Sequence, residues 1–364
     1  MQLNRTANKL LFYSACCLTG IGILFIYSSS AYWGQIHYPN ELPFYIKQLI
    51  YAIAALSICI ILMRVPIRWN GQFILLLYVV SIILLVLVLI PGIGLWRNGS
   101  RSWIGFGGFT IQPAEIAKIT TLLYLSYVLA IRKKAERVVQ LKHFVIVFIP
   151  SFLIMMQPDF GAVFLLVVTA MIVLFVSNYP LKIFGVIVFS GVLAVVGLII
   201  SAPYRLKRIT AFLNPWEDAL NSGFQAVQSL MAIGPGGIFG HGFLKSRQKY
   251  LYLPEPQNDF IFSIILEEIG FLGGAIIVCI FACFLISGYQ LALGSRESFP
   301  FYCIFSLTTL IGIQAILNIG VVIGLFPVTG VTLPFISYGG TSLLFLWCAI
   351  GIMLNVSRNS DRRR

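Results

Sequence analysis

Long runs of apolar residues, separated by short polar connections, make up most of the chain. A membrane-spanning helix needs about 20 such residues, and the chain offers ten runs near that length. The runs cover residues 10–31, 46–63, 72–91, 113–131, 143–157, 159–177, 182–201, 260–290, 300–325 and 339–357. The pattern predicts an all-α, polytopic membrane protein with ten transmembrane helices, forming a single integral membrane domain over residues 1–364.

The distribution of lysine and arginine predicts the orientation of these spans, because short cytoplasmic loops carry an excess of both residues. They precede spans one and seven, follow spans two, four and eight, and fill the tail: Arg5, Lys9, Arg64, Arg68, Arg132, Lys133, Lys134, Arg137, Lys142, Lys182, Arg296, Arg358, Arg362, Arg363 and Arg364. Both termini are therefore expected in the cytoplasm. Residues 202–258 then form a large extracytoplasmic loop between helices 7 and 8, and loops this long are often functional.

Composition agrees with a membrane protein and excludes several other classes. Charged residues make up 10% of the chain, whereas a soluble domain has about 25%. The net charge of +13 does not predict nucleic acid as a partner, because many of the cations flank spans. The seven cysteines lie in apolar runs and the three histidines are scattered, so thiolate or histidine metal clusters and disulfides are not expected.

A charged pair lies at the start of the fourth span, in the run Gln112-Pro-Ala-Glu-Ile-Ala-Lys118. Glu115 and Lys118 are three residues apart, and such residues can pair on a helix. The sequence allows two interpretations of this pair. The pair could neutralise itself between helices, or it could form a polar wall of a substrate cavity, as charged residues inside spans often do.

Asp259 is the acidic residue at the outer boundary of the eighth span. A carboxylate at this depth pairs with another group or takes part in chemistry, so Asp259 is the candidate general base; a simple helix N-cap is the alternative. Glu267 follows eight residues later, on the same face of a continuous helix. Glu268 points the opposite way and is expected to make a helix-packing hydrogen bond.

Cations in the outer loops are candidates for binding an anionic, lipid-borne substrate. They are Arg101 in the loop 92–112, and Lys245, Arg247 and Lys249 in the loop 202–258. The run 234–242 contains five glycines, and its backbone N–H groups could contact an anion. This glycine run is a weak signal, because membrane loops are often rich in glycine.

Two further segments carry polar groups next to spans. Residues 327–342 hold two prolines and several glycines, which predicts non-helical backbone at membrane depth, buried in protein or lining a polar cavity. Ser337 in this segment is a candidate ligand donor, and a purely structural turn is the alternative. Asp159, in the short turn 157–161, is expected to cap the sixth span.

In chain order, these segments together resemble the SEDS family (shape, elongation, division and sporulation proteins). The matching runs are Gly99-Ser-Arg-Ser-Trp-Ile104, Gln112-Pro-Ala-Glu-Ile-Ala-Lys118, Gln157-Pro-Asp-Phe-Gly161, Asn214-Pro-Trp216, Gln225 with Gln228-Ser229, Tyr252-Leu-Pro-Glu255, Asp259-Phe-Ile-Phe262, Glu267-Glu-Ile-Gly270 and Leu333-Pro-Phe-Ile-Ser-Tyr-Gly-Gly340. The ordered set covers nearly the whole chain. The runs at 214–218 and 252–256 resemble division or sporulation members more than elongation members, whereas Pro327-Val-Thr-Gly330 resembles elongation members; a division-type member is favoured.

The resemblance implies a peptidoglycan glycosyltransferase of the bacterial cytoplasmic membrane that polymerises lipid II at the outer face. It implies that Asp259 matches the essential aspartate of the family and that Glu115 and Lys118 line the central cavity. The implied partners are a class B penicillin-binding transpeptidase and other membrane proteins of the divisome or elongasome.

On this hypothesis, Asp259 takes the proton from the attacking sugar hydroxyl, while Arg101, Lys118 and the loop cations stabilise the departing pyrophosphate. A divalent cation, Mg²⁺ or Mn²⁺, is the one expected cofactor, without assigned ligands. A lipid II transporter is the rival interpretation, since ten spans and a charged cavity suit it too. A non-catalytic scaffold ranks last, because it leaves Asp259 and Glu115 without a chemical role.

Overall fold

The computed structural model describes residues 2–67, 69–97, 100–106, 109–131, 141–187, 191, 212–221, 223–250 and 252–362. Its helices are α1 Gln2–His37, α2 Phe44–Arg64, α3 Gly71–Leu89, α4 Pro113–Ala130, α5 Leu141–Met155, α6 Phe160–Val176, α7 Phe224–Gly236, α8 Ile261–Leu293, α9 Ser298–Val322 and α10 Gly340–Arg362. The strands are β1 Gly94–Arg97, β2 Ser100–Phe106 and β3 Phe109–Ile111. Residues 181–187 are also helical.

Six helices of the described part are long and apolar enough to cross a membrane, namely α1, α2, α3, α8, α9 and α10. Helices α4, α5 and α6 coincide with three further predicted spans, although α5 and α6 have only 15 and 17 residues. Most of the predicted span 182–201 lies outside the described residues, and α7 belongs to the predicted outer loop. The chain is a mostly helical, multi-pass membrane protein.

The expectation of an all-α chain is wrong for the loop 92–112, which forms an antiparallel sheet in the order β1-β2-β3. Gly94 pairs with Ile104 and Ile104 with Ile111, so β2 is the central strand. The sequence between β1 and β2 is Asn-Gly, the strongest short signal for a hairpin. Trp, Ile, Phe and Thr fill the strands, and aromatic and β-branched residues favour extended backbone.

The helices pack around two clusters of buried side chains. The larger cluster joins α1, α2, α8, α9 and α10 around Phe284, Phe335 and Trp347. The second joins α3 to α6 around Leu122 and Leu165, and also takes residues from α9. Because α9 contributes to both clusters, it lies between the two halves of the molecule and can position residues of one half against the other.

Helix α8 is broken at Gly270, where φ is +68°. Gly240, with φ of +75°, lies directly against this break: a side chain on Gly270 would come within 2.4 Å of the Gly240 nitrogen. The break exposes N–H groups of α8, and those of Phe271 and Leu272 donate to carbonyls of the residues 237–238. The glycine run thus docks the outer loop onto α8.

This docking occupies three backbone N–H groups of the glycine run. The N–H groups of His241 and Gly242 donate to the carbonyls of Glu267 and Glu268, and the N–H of Gly240 donates to Gly236. These three N–H groups are therefore occupied by backbone carbonyls and do not form an anion site. Glycine is needed here because the two backbones approach too closely for a side chain.

Candidate active site

Asp259 is half-buried and lies in the turn that precedes α8. The helix begins at Ile261, its N-cap residue is Phe260, and no side chain caps it. The N-cap alternative for Asp259 is therefore wrong, and Asp259 does not share a helical face with Glu267. Within the part of the chain that the structure describes, no group donates a hydrogen bond to the Asp259 carboxylate, so it is available to a ligand.

Helix α9 holds the backbone of Asp259 in place. The Asn318 side chain donates from Nδ2 to the carbonyl of Asp259 at 2.7 Å and to that of Val331 at 2.8 Å. One helical turn earlier, Gln314 donates to the carbonyl of Thr332 at 3.0 Å. These bonds tie Asp259 to the non-helical segment 323–339, which follows α9 as the sequence predicted.

The same segment lies between the start of α6 and the Asp259 side chain. A side chain added at Gly330 would lie 3.7 Å from Oδ2 of Asp259, and one added at Gly161 would lie 2.9 Å from the carbonyl oxygen of Thr329. Residues 329–331 therefore separate the first turn of α6 from the Asp259 carboxylate.

Asp159 caps α6, as expected from the sequence. Its Oδ1 accepts a hydrogen bond from the N–H of Ala162 at 3.0 Å. Its Oδ2 accepts one from Nε2 of Gln112 at 3.1 Å. Because Gln112 directly precedes α4, the two bonds of this carboxylate join the starts of α4 and α6.

Glu115 and Lys118 form an ion pair of 2.8 Å, with exposed side-chain fractions of 13% and 3%. The predicted pairing is confirmed. Both charges act on Asp159, since Lys118 favours and Glu115 opposes its ionised form. We refer to Asp259, Asp159, Gln112, Glu115 and Lys118 together as the Asp259 cluster.

The pKa of the Asp259 carboxyl is raised to about 6, chiefly by burial and in addition by the negative charges of Glu255 and Asp159. Burial also raises the pKa of Asp159; its cap bond, Lys118 and the Gln112 amide act in the opposite direction. A carboxylate whose pKa lies just below neutrality is mostly ionised and still basic enough to take a proton. Asp259 has the properties of a general base.

Lys249 lies in a buried network away from this cluster. Its ammonium pairs with Glu268 at 3.2 Å and donates to the carbonyl of Leu244 at 2.6 Å. Ser28 of α1 donates to the same Glu268 carboxylate at 2.6 Å, which confirms the predicted helix-packing bond of Glu268. The structure thus gives Lys249 an anchoring partner and does not bring it to Asp259.

Glu267 also anchors the outer loop. Its carboxylate accepts from the hydroxyl of Ser246 and, at 2.8 Å, from the N–H of Arg247. The Arg247 side chain is exposed and lines a separate cavity of the outer loop. Lys245 is exposed in the same loop. Neither cation contacts the Asp259 cluster in this structure.

Arg101 and Ser337 are held by their own surroundings. Arg101 lies on β2, with its guanidinium 5.8 Å from the Trp96 ring centre and 3.5 Å from the carbonyl of Leu89. Its Nε is buried and has no hydrogen-bond partner among the described residues. Ser337 is buried and its hydroxyl accepts the N–H of Leu333 at 2.8 Å, which agrees with the structural alternative for this segment.

The described residues do not form a preformed site of several protein ligands for a divalent cation. No group of three or more His, Cys, Asp or Glu side chains suited to a metal occurs in that part of the chain. Both carboxylate oxygens of Asp159 already accept hydrogen bonds. Asp259 alone is a single ligand, whereas Mg²⁺ takes six oxygen ligands, several of them water.

Asn318 and Gln314 are the residues that the sequence analysis missed. They stand one turn apart in α9, whose other residues are uncharged and mostly apolar. Polar amides within a span are uncommon and mark groups that hold backbone or ligand. That signal was in the sequence, but nothing there indicated that Asn318 meets the carbonyl of Asp259, 59 residues away.

Comparison with known proteins agrees with this architecture. A family model described as "Cell cycle protein", which groups FtsW, RodA and SpoVE proteins, matches residues 8–362. Stage V sporulation protein E of Bacillus subtilis is 45% identical over 348 residues, covering 94% of each chain. A probable peptidoglycan glycosyltransferase FtsW of Geobacter metallireducens is 38% identical over 352 residues, covering 94% of this chain and 92% of the relative.

Two solved structures share the fold. A chain of a peptidoglycan synthase complex superposes with a TM-score of 0.78 at 28% identity, covering 96% of this chain and 97% of its own. Thermus thermophilus RodA superposes with a TM-score of 0.68 at 24% identity, covering 96% of both chains, which shows the fold alone. The family model, the relatives and the helical architecture agree with the motifs in the sequence, and the chain belongs to the SEDS family.

Proposed function

We propose that this chain is a peptidoglycan glycosyltransferase that polymerises lipid II into glycan strands at the outer face of the cytoplasmic membrane, in cell division or cell-shape maintenance. The observation that carries the proposal is Asp259. Its carboxylate accepts no hydrogen bond from the described residues, has a pKa raised to about 6, and belongs to a backbone fixed by Asn318. The FtsW relatives are named for the same activity.

In the proposed reaction, the 4-hydroxyl oxygen of the incoming lipid II sugar attacks C1 of the growing glycan. The C1–oxygen bond to the polyprenyl pyrophosphate breaks, and the pyrophosphate leaves with the bonding electron pair. Asp259 takes the hydroxyl proton as the new bond forms. Lys118, the cation of the Asp259 cluster, stabilises the negative charge that develops on the departing pyrophosphate.

Roles for the other predicted substrate residues follow from their surroundings. Nε of Arg101 is a buried donor without a partner among the described residues and could donate to the pyrophosphate. Lys245, Arg247, Lys249 and Ser337 stay predictions as substrate ligands, with Lys249 and Ser337 already bonded within the protein. Mg²⁺ or Mn²⁺ also stays a prediction, and no step of the reaction passes through it here.

The proposed topology has ten transmembrane helices, both termini in the cytoplasm and the loop 202–258 outside, within one membrane domain. The Asp259 cluster supports it. Its residues lie at the starts of α4 and α6 and just before α8, so these three helices run in the same direction across the membrane. In the ten-span prediction they are spans four, six and eight, which all begin outside.

The proposed partners are lipid II, a class B penicillin-binding transpeptidase, and membrane proteins of the divisome or elongasome. The similar chain of known structure is part of a peptidoglycan synthase complex concerned with polymerization and crosslinking. A glycan polymerase and a transpeptidase act on the same strand in succession, so a complex of the two is the natural arrangement.

Polymerisation of lipid II by the purified chain in detergent tests this function. Asp259→Asn should lower the rate by about 100- to 10,000-fold, because general bases contribute on that scale. Glu41→Gln is the matched control, since Glu41 pairs with Lys47 in an exposed connection, and it should keep the wild-type rate.

The same assay separates the enzyme from the lipid II transporter. No membrane has to be crossed in detergent, so polymer formation requires catalysis. A chain that moves lipid II across vesicles but makes no polymer in detergent, with or without its transpeptidase, would reject the proposed function. Near-normal polymerisation by Asp259→Asn would reject Asp259 as the base.

A further inference from the structure

The outer loop contains a cavity of about 460 Å³ that is separate from the Asp259 cluster. We call it the outer-loop cavity; it is lined by Trp216, Leu230, Met231, Gly234, Pro235, His241, Arg247, Gln248 and Glu267. Its volume lies within the range of about 300–1,000 Å³ that is typical of small-molecule sites. No residue of the Asp259 cluster lines it.

The walls of the outer-loop cavity are fixed by buried hydrogen bonds. Ser229 of α7 donates to the carbonyl of Val322 at 2.8 Å and holds α7 against α9. On the other wall, Glu267 accepts the N–H groups of Arg247 at 2.8 Å and Gln248 at 3.4 Å. A cavity with both walls anchored in this way is formed before a ligand arrives, which reduces the entropy cost of binding.

Three side chains of the outer-loop cavity have binding groups that the protein does not use. Oε1 of Gln248 is buried and accepts no hydrogen bond from the described residues, and a buried acceptor is costly unless a donor reaches it. The Arg247 side chain is exposed and forms no ion pair with the described residues. Trp216 is 55% exposed, so much of its indole is open to contact.

These groups define the chemistry of the ligand. A guanidinium binds a carboxylate or phosphate through paired hydrogen bonds. An amide oxygen requires a hydroxyl or N–H donor, and a flat aromatic wall covers an apolar face. The Glu267 carboxylate keeps its charge, but its oxygens already accept hydrogen bonds from neutral donors, so the exposed Arg247 guanidinium is the charged group of the cavity that can receive an anionic ligand. A sugar ring with hydroxyl or acetamido donors and an attached carboxylate satisfies all three groups.

A simple phosphate suits the outer-loop cavity less well. Phosphate sites usually combine several free backbone N–H groups with cations. Here the N–H groups of Gly240, His241 and Gly242 all donate to carbonyls, and Arg247 is the one Arg or Lys among the residues that line the cavity.

We propose that the outer-loop cavity binds a carboxylate-bearing N-acetylated sugar unit, with Trp216 against the ring, Gln248 on a donor of the sugar, and Arg247 on the carboxylate. This inference rests on the proposed function, in which the glycan that is made carries peptide carboxylates. The cavity then holds a unit of the growing strand while the Asp259 cluster adds the next. Holding the strand favours repeated addition over release and so lengthens the product.

Binding is tested on the full purified chain in detergent, with N-acetylglucosaminyl-N-acetylmuramyl dipeptide as a soluble probe and titration calorimetry as the measurement. Di-N-acetylchitobiose, which lacks the carboxylate, and inorganic phosphate are the comparison ligands. We expect the probe to bind more tightly than either. Trp216→Ala and Arg247→Gln should each weaken its binding by about tenfold, the effect of roughly 1.4 kcal/mol.

The matched control is Leu220→Ala, because Leu220 is 86% exposed in the same loop and does not line the outer-loop cavity. It should bind the probe like the wild type, and unfolding temperatures of all variants identify any that fail to fold. Trp216→Phe keeps an aromatic ring and should retain most of the binding. Loss of binding in Trp216→Ala but not in Trp216→Phe is then due to the lost contact between ring and ligand and not to unfolding of the protein.

Asp259→Asn keeps the two proposals distinguishable, since it should stop polymerisation and leave probe binding unchanged. Shorter glycan strands from Trp216→Ala than from Leu220→Ala would support the inference. Absent probe binding, equal binding of phosphate, wild-type binding by both Trp216→Ala and Arg247→Gln, or loss of binding in Asp259→Asn would each overturn it.

Discussion

At the scale of single residues, Asp259 differs from Asp159, Glu267 and Glu268 because its carboxylate has no hydrogen-bond partner among the described residues. Asp159, Glu267 and Glu268 each accept at least two hydrogen bonds. Asp259 accepts none from the described residues, and burial raises its pKa to about 6. A side chain that costs stability and serves no structural bond is a candidate for function.

The raised pKa of Asp259 predicts how activity depends on pH. The base works only when ionised, so the polymerisation rate should fall about tenfold for each pH unit below about 6 and level off above it. Because the Asp159 charge raises the pKa of Asp259, Asp159→Asn should move the midpoint to lower pH. Asparagine also caps helices well, so α6 should remain intact.

Initial rates of lipid II polymerisation between pH 5 and 8 measure this midpoint. A rate that is flat across this interval would contradict the assignment of Asp259 as the titrating base. A midpoint that moves upward in Asp159→Asn would contradict the electrostatic coupling of the two carboxylates.

At the scale of elements, α9 is the support of the candidate active site. It packs in both clusters of buried side chains and presents Asn318 and Gln314 to the segment 329–332. Asn318 is 1% exposed and donates to two backbone carbonyls. It acts as a positioning residue, because it touches the backbone of Asp259 and leaves the carboxylate free.

Replacing Asn318 should therefore misplace the base. Asn318→Leu removes both bonds at nearly unchanged volume, and we expect kcat to fall by about 100-fold with little change in KM. Gln314→Leu, which loses only the bond to Thr332, is the comparison and should have a smaller effect.

Steady-state kinetics and the pH profile together separate positioning from unfolding. Asn318→Leu should keep a measurable midpoint near that of the wild type, since the carboxyl group is still present. A variant with wild-type kcat, or one that loses activity only through aggregation, would contradict the positioning role.

At the scale of the whole molecule, the starts of three helices converge on one site while the outer loop is fastened beside it. Gln112 and Asp159 join α4 to α6, and Asn318 joins Asp259 to the segment after α9. The loop is fastened through Lys249 and Glu268, which also reach Ser28 of α1.

Lys249→Met should destabilise the molecule by about 3 kcal/mol, because it leaves the buried Glu268 carboxylate without its cation. The double variant with Glu268→Gln should recover part of that loss. Lys47→Met is the matched control, since Lys47 and Glu41 form an exposed pair that contributes less than about 1 kcal/mol.

Thermal unfolding in detergent, followed by intrinsic fluorescence, measures these differences. Equal unfolding temperatures for Lys249→Met and Lys47→Met would mean that the buried network does not hold the outer loop to the helices.

Much of the fold and part of the site could be predicted from the sequence. The predicted spans that correspond to α1–α6 and α8–α10 match described helices, the non-helical segment follows α9, and the Glu115–Lys118 pair and the Asp159 cap are confirmed. The sheet in the loop 92–112 was missed because strands of three to seven residues between long apolar runs carry little periodicity.

The errors at the site have one physical cause. The relation of Asp259 to Glu267 assumed a continuous helix, whereas α8 begins only at Ile261. Lys249 appeared to be a free cation because its buried partner Glu268 is 19 residues away in sequence. In both cases the outcome depends on where distant backbone segments meet, and local spacing does not contain that information.

The sequence by itself determined that this chain crosses a membrane and which polar residues it carries there, because the length of an apolar run and the cost of a buried charge are local properties. Only the tertiary structure decided which of those polar residues satisfy one another. The side chains of Asp159, Glu267, Glu268 and Lys249 have partners within the protein, while the Asp259 carboxylate has none in the part of the chain that the structure describes. That difference arises from the convergence of helices far apart in the chain, and it singles out the carboxylate available for chemistry.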